Sequence, residues 1–273
     1  MADSTAATGR ALITGASAGI GEALARRLAA RGFALVLSAR RRQRLEALAA
    51  ELGKRHGVAV EVIEADLSRE GMPAEVARLA ARGGDVDLLV NNAGAGAFGA
   101  FSDLPLDAQL GQIRLNLVAL VELCGLLLPA MRARGRGAIL NVASTAGFQP
   151  LAYNAVYAAS KAFVVSFGEA LAVELSGSGV QVVTFCPGVA DTEFFAAARR
   201  VGEAFRPSRL VAMSADRVAD HAMRALDRRQ ALAFAGLRNW CTTFVVRLFP
   251  RAWVRVLAGR IFRRMLSWQR ARR

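Results

Sequence analysis

The stretch YNAVYAASKAF, residues 153–163, contains both tyrosines of the chain, Tyr153 and Tyr157. It also contains Lys161, one of two lysines set against 34 arginines. In a helix Tyr157 and Lys161 stand one turn apart and share a face. A phenol beside an ammonium suits proton transfer to an oxygen on which negative charge develops, as when a ketone is reduced. A free tyrosine has a pKa of about 10. Lowering it by about 3 units takes about 4 kcal/mol of preferential phenolate stabilisation, and a neighbouring cation supplies part of that. Lysine is a compact charge with a movable pKa, whereas arginine is larger and permanently charged. A lysine at this position, in a chain that otherwise uses arginine, is therefore informative.

These residues need a scaffold, and the apolar pattern describes one. RALITG (10–15), FALVLSA (33–39), VAVEVIEA (58–65), VDLLVNN (86–92), GAILNVAS (137–144) and VQVVTFCP (180–187) read as strands. They are short, mostly non-alternating and rich in Val, Ile and Leu, which predicts burial on both faces. ALAFAG (231–236) is a candidate seventh strand. Helical patterns lie between them, near 19–31, 41–55, 72–82, 107–133, 152–176 and 214–228, with Ser214 as an N-cap. Strand–helix alternation on this scale predicts an α/β fold, a doubly wound parallel sheet of about seven strands with helices on both faces. LNLVALVELCGLLLPAM (115–131) carries Asn116 and Glu122 and reads as a core or subunit-interface helix rather than a membrane span.

The first strand runs into TGASAGIG, Thr14 to Gly21, and then a helix. Such a loop brings backbone N–H groups and a helix N-terminus against a pyrophosphate where side chains would block the approach. Gly15, Gly19 and Gly21, with Ser17, Ala18 and Ile20 between them, are the candidate dinucleotide contacts. After the second strand an NAD site places an acid on the ribose 2′-hydroxyl. Here Ala39 is followed by Arg40, Arg41 and Arg42, and no acid occurs before Glu46. A guanidinium grips a 2′-phosphate in a fork of hydrogen bonds. The reading is NADP(H) with Arg40 as its phosphate ligand, and Arg42 and Arg44 as solvated charges.

TGASAGIG, NNAG (91–94), Asn116, Ser144, YAASK (157–161) and PGVADT (187–192) follow one another in order. Together they resemble the short-chain dehydrogenase/reductase family over about residues 8–235. The resemblance implies a Rossmann-type sheet and an NADP-preferring oxidoreductase. It implies that Tyr157 is the acid/base and that Lys161 lowers its pKa and holds the nicotinamide ribose. It further implies that Ser144 binds the substrate oxygen and Asn116 supports a water-linked proton path. By the same resemblance Asp66 and Leu67 meet the adenine, Asn92, Ala93 and Gly94 line the ribose, and Pro187, Gly188, Val189 and Thr192 meet the carboxamide.

The segment after the PGVADT motif, about 189–213, falls where the family carries its substrate loop. Phe148, Tyr153, Phe194 and Phe195 are candidate pocket residues, with Phe98, Phe101, Leu151, Val201, Phe205 and Leu210 behind them. An apolar pocket points to a hydrophobic ketone of 3-oxoacyl, steroid or lipid type. Two rival readings remain: NAD-linked oxidation of an alcohol, and a non-catalytic dinucleotide sensor or scaffold. His56 and His221 have no partners at metal-ligand spacing, so no metal site is expected.

The net charge of +14 is unevenly placed. Residues 228–273 hold 12 arginines and no acid, whereas the rest is near neutral. A basic nucleic-acid-binding body is thereby excluded. The expected division is a dinucleotide-binding domain over 1–237 and a basic amphipathic helical extension over 238–273. Pro250 can start a helix in which Val254, Leu257, Ala258, Ile261, Met265 and Trp268 fall within an arc of about 100°. Such a helix packs on the domain or on a second subunit, touches an anionic membrane, or meets nucleic acid. Cys124, Cys186 and Cys241 are scattered and suggest buried thiols in a reducing cytoplasm. The first ten residues lack a signal-peptide pattern. The expected setting is cytoplasmic, with the tail available to the inner membrane face, and a homo-oligomer formed through the long helices.

Overall fold

A computed structural model describes residues 9–198, 201–202 and 212–270, and of residues 261 and 264–270 it describes the backbone. Phe205 and Leu210 of the candidate pocket lie outside the described residues, as do the side chains of Ile261, Met265 and Trp268. The strands are β1 (Arg10–Thr14), β2 (Ala34–Ala39), β3 (Val60–Glu64), β4 (Leu88–Asn91), β5 (Gly137–Val142), β6 (Val180–Cys186), β7 (Ala190–Asp191), β8 (Met213–Ser214) and β9 (Leu232–Phe234). The first helices are α1 (Gly19–Ala30), α2 (Arg42–His56), α3 (Met72–Arg82), α4 (Leu106–Ile113) and α5 (Ala119–Ala133). They are followed by α6 (Ala155–Glu174), α7 (Phe194–Ala198), α8 (Ala215–Asp227), α9 (Leu237–Leu248) and α10 (Arg251–Arg270).

Seven strands form one parallel sheet in the order β3-β2-β1-β4-β5-β6-β9, and β7 pairs with β8 beside it. The pleat sends neighbouring residues to opposite faces. Ala11 and Ile13 of β1 therefore join α1, α2 and α8, while Leu12 joins α3, α5 and α6. This is the doubly wound Rossmann-type architecture. In that sheet β3 departs furthest from two-sided burial: it is an edge strand, and Glu61 and Glu64 are exposed.

The strand order reverses direction between β1 and β4. In open parallel sheets that point, beyond the strands' carboxyl ends, is where ligands bind. Gly15, Arg40, Asp66, Asn92, Ser144 and Pro187 all follow the carboxyl ends of their strands. Tertiary structure thus gathers six distant segments at one rim.

Two features were not legible in the apolar pattern. The predicted helix 107–133 is interrupted by a π-helical turn over Arg114–Val118. The helix predicted from 152 starts at Ala155, because Tyr153 adopts φ 63°, outside the helical region. Helices 106–133 and 155–174 are long and apolar enough to cross a bilayer by length and composition. Both flank the sheet, α5 in the core with α3 and α6 against β6. Cys124 and Cys186 are buried, whereas Cys241 is exposed on α9, against the expectation of three buried thiols.

Candidate active site

The glycine loop is built for a close neighbour. Gly19 has φ 60°, which a side chain resists, and a Cβ there would lie 3.0 Å from Thr192 Cγ2. A Cβ on Gly21 would collide with the Asn92 amide and the Gly15 carbonyl. Helix α1 begins at Gly19 without a side-chain cap, so its first N–H groups face the loop. An uncapped helix start against a backbone-lined cradle fits a pyrophosphate.

Thr14 and Asn92 lock this cradle to the next strand. Thr14 Oγ1 donates to the Val90 carbonyl at 3.1 Å and accepts from the Asn92 and Ala93 N–H groups at 3.0 Å each. Asn92 Nδ2 donates to the Thr14 carbonyl at 2.9 Å. Asn92 thus acts through its side chain as well as its backbone, and Thr14 is a positioning residue. Gly94 borders the site's far side: a Cβ there would lie 3.4 Å from Asn116 Oδ1 and 3.6 Å from Lys161 Nζ.

The charged end of the rim is shared among several arginines. Arg40 is exposed, close enough to Asp66 for its charge to act on that carboxylate. Burial raises the Asp66 carboxyl, but hydrogen bonds from Ser68 and the charges of Arg40 and Arg69 hold it below its ordinary value. Leu67 turns its side chain into the core beside α3. Arg41 lies over the glycine loop, with Nη2 3.1 Å from Ser17 Oγ. Arg41 also pairs with Glu193 at 2.5 Å, and Arg44 pairs with the same carboxylate at 2.7 Å. Arg42 and Arg44 are both exposed, as expected of solvated charges, and each carries a surface ion pair: Arg42 with Glu46 in its own helix, Arg44 with Glu193.

At the reacting end, Asn116 sits buried in the π-helical turn. Its Oδ1 accepts from the Ala95 N–H, and its Nδ2 donates to the Ala95 carbonyl and to Ser160 Oγ, all at 2.9 Å. Single π turns recur at functional sites because they rotate one side chain out of helical register. Ser144 ends the run of β5, and its Oγ accepts from the Ala146 N–H at 3.1 Å. The Tyr157 phenol lies near enough to Ser144 for the serine hydroxyl to favour its ionised form.

Lys161 is buried, and its Nζ donates to the Val142 carbonyl at 2.8 Å. The same Nζ lies 5.8 Å from the centre of the Tyr157 ring. Burial pushes the Tyr157 phenol up to about 12, and the Ser144 hydrogen bond opposes the rise. Burial lowers Lys161 to about 8. The Lys161 ammonium is turned to a backbone carbonyl, and desolvation dominates at the phenol.

The aromatic candidates separate into two places. Phe194 packs on Tyr157 with ring centres 5.2 Å apart, and Phe195 packs on Phe194 and Phe98. Tyr153 accepts the Gly99 N–H on its carbonyl at 2.9 Å. Phe148 stands apart from this group, against Phe234 and under the Arg247 guanidinium. Phe98 and Leu151 are buried, while Phe101 and Val201 face solvent. Loop residues Pro187 to Thr192 hold the opposite wall. Pro187 accepts from the Thr145 N–H, and Val189 from the Met213 N–H, each at 2.9 Å. Gly188 leaves room only for Asn239 of α9.

Thr14, Ser17's partner Arg41, Ser160 and Glu193 join the site without having been singled out in the sequence. Thr14 and Ser160 lie inside the quoted motifs, which was a usable signal. Glu193 had none, because its partners are about 150 residues away in the chain.

The family model for short chain dehydrogenase matches residues 10–201. The 7beta-hydroxysteroid dehydrogenase of Collinsella aerofaciens is 31% identical over 228 residues, 84% of this chain and 86% of that protein. A short-chain dehydrogenase from Sphingobium yanoikuyae, solved in complex with NADPH, superposes with a TM-score of 0.79 at 36% identity. The superposition covers 88% of this chain and 94% of that one. A short chain dehydrogenase/reductase from Burkholderia phymatum, solved with NAD, gives 0.77 at 27% identity, over 86% and 92% of the two chains. The fold, the ordered motifs and these likenesses agree: the chain belongs to the short-chain dehydrogenase/reductase family of oxidoreductases.

Proposed function

We propose that this protein is an NADP(H)-dependent oxidoreductase that interconverts a hydrophobic ketone and its secondary alcohol, with Asn116, Ser144, Tyr157 and Lys161 as its working residues. The observation that carries this reading is the buried Tyr157 phenol, near enough to Ser144 for that hydroxyl to act on it, with the Lys161 ammonium 5.8 Å from its ring centre and the Phe194 ring packed on it. A bound nicotinamide supplies or accepts the hydride. The glycine loop and the start of α1 would hold its pyrophosphate, Asp66 its adenine end, and Asn92 to Gly94 its ribose.

Ser144 and Tyr157 would bind the substrate oxygen as hydrogen-bond donors. Tyr157 then gives its proton to that oxygen as charge develops there. A phenol near 12 is still a far stronger acid than an alcohol, whose pKa lies near that of water, about 15.7. Donation therefore runs downhill as the alkoxide forms. In the reverse reaction the same oxygen, as the phenolate, takes the proton of the alcohol. Asn116 and Lys161 would return the proton from solvent through the Gly94 side.

The NADP(H) preference rests on the absence of an acid at the end of β2 and on Arg40 and Arg41 there. The NADPH-bound relative supports it. NAD use is the second reading, favoured by the NAD-bound relative and by the neutralisation of Arg41 by Glu193. The apolar group of Phe98, Phe194 and Phe195 supports a hydrophobic substrate, as does the likeness to a hydroxysteroid dehydrogenase. Exposed Val118, Val121 and Leu126 on one long helical run and Phe163 and Val173 on α6 support a homo-oligomer joined through those faces. The same reading takes residues 1–237 as the catalytic domain and 238–273 as an extension.

The test is NADPH consumption across 3-oxoacyl, steroid and aromatic ketones, with NADH in parallel. Tyr157→Phe should lower turnover by about 10² to 10⁴ while leaving cofactor affinity intact. Biological activity unchanged by Tyr157→Phe would support the non-catalytic scaffold instead.

A further inference from the structure

Helix α9 is amphipathic in the inverted sense. Its inner face carries Asn239 and Thr243, half-buried and buried. Asn239 donates to the Ala235 carbonyl and fills the space over Gly188, and Thr243 donates to the Asn239 carbonyl. Its outer face carries Leu237, Trp240, Phe244 and Leu248, which are 74%, 47%, 48% and 67% exposed. At 100° per residue these four fall within about an 80° arc. Trp240 and Phe244 stack with ring centres 5.4 Å apart, so the outer face is an ordered apolar surface. Phe249 at the joint and Trp253 and Leu257 on α10 extend it, at 50%, 67% and 62% exposed. The predicted stripe of α10 divides: Ala258 is buried and Val254 half-buried, whereas Leu257 faces out.

A contiguous run of large exposed apolar side chains marks a contact site. Its charge says what kind. From residue 228 to the end the chain has 12 arginines and no acid, and Arg251, Arg255, Arg260 and Arg263 are exposed along α10. A second copy meeting this face through its own would set arginines against arginines, since a two-fold contact is self-complementary. A nucleic-acid backbone would satisfy the arginines but leave Leu237, Phe244 and Leu248 in water. An anionic bilayer satisfies both, because large apolar side chains enter the acyl boundary while arginines stay at the headgroups.

We propose that α9 and the first turns of α10 form a docking surface for an anionic lipid bilayer. The inner side of α9 lies on Gly188 and the turn at Phe148, so docking sets the candidate active site directly beside the lipid.

All three tryptophans, Trp240, Trp253 and Trp268, lie in this tail, so selectively excited tryptophan fluorescence of the full-length protein reports on it alone. Vesicles of phosphatidylcholine with phosphatidylglycerol should shift the emission to the blue and carry the protein down on sedimentation. Phosphatidylcholine alone should bind at least about tenfold more weakly. Phe244→Gln with Leu248→Gln should abolish the shift while circular dichroism and NADPH binding stay unchanged. The proposal is overturned by no shift on anionic vesicles, by equal binding to neutral ones, or by undiminished binding of the double variant. It is equally overturned if the blue shift comes from self-association without lipid, or if duplex DNA binds and vesicles do not.

Discussion

Glu193 reaches across the glycine loop to Arg41, its carboxylate 2.5 Å from the guanidinium, and so ties the start of the substrate loop to the start of α2. Arg44 holds the other oxygen. Hydrogen bonds from both arginines pull Glu193 down to about 2, so it stays ionised at any working pH. The same Arg41 faces the position proposed for a 2′-phosphate. Glu193→Gln should therefore free Arg41 and tighten NADPH binding by about threefold, the scale of an exposed ion pair, with NADH binding unchanged. Titration of both cofactors measures this, and weaker NADPH binding would show that Glu193 orients Arg41 instead of competing for it.

Lys161 gives the protein a characteristic alkaline stability profile. Its folded pKa is about 8 against an ordinary 10.5, because burial disfavours its charge. Between those values the unfolded chain binds more protons, so this group makes stability rise with pH across that window. Lys161→Met removes the term. The wild type should gain on the variant in urea midpoint between about pH 8 and 10.5, and parallel curves would refute the assignment. Tyr157, raised to about 12 from 10, adds the opposite slope above pH 10 in both proteins.

Tyr153 occupies left-handed backbone at φ 63°. Asparagine tolerates that region and a β-branched residue does not. Tyr153→Asn should match or exceed the wild type in stability, and Tyr153→Val should fall about 1–2 kcal/mol below Tyr153→Asn. If Tyr153 also lines the pocket, both variants raise KM for a hydrophobic ketone more than they lower kcat. Equal stability of the two variants would mean the backbone there relaxes.

Two glycines should respond oppositely to the same change. A methyl at Gly21 meets the Asn92 amide and the Gly15 carbonyl, whereas one at Gly111 in α4 meets nothing within 4 Å. Gly21→Ala should cost about 1–3 kcal/mol and weaken binding of either cofactor. Gly111→Ala should gain up to about 1 kcal/mol from helix propensity. Thermal melts with and without NADPH distinguish the two effects.

Much of this protein is local, and the sequence by itself determined that part. Apolar runs separated by helical patterns specify buried strands and their crossovers, since burial on two faces requires continuous Val, Ile and Leu. The glycine loop, NNAG, Ser144 and YAASK are contiguous signals whose spacing survives folding. Tertiary structure decided what depends on residues distant in the chain. Nothing near Asn116 announces a π turn, which is stabilised by Ala95 and Ser160 reaching in from other elements. Glu193 finds Arg41 and Arg44 only because α2 and the substrate loop share one rim. The direction of the Lys161 ammonium is set by where β5 places the Val142 carbonyl. The outward apolar face of α9 is likewise a tertiary result: periodicity gives a helix two faces, and only packing against Gly188 and Phe148 chooses which one meets solvent.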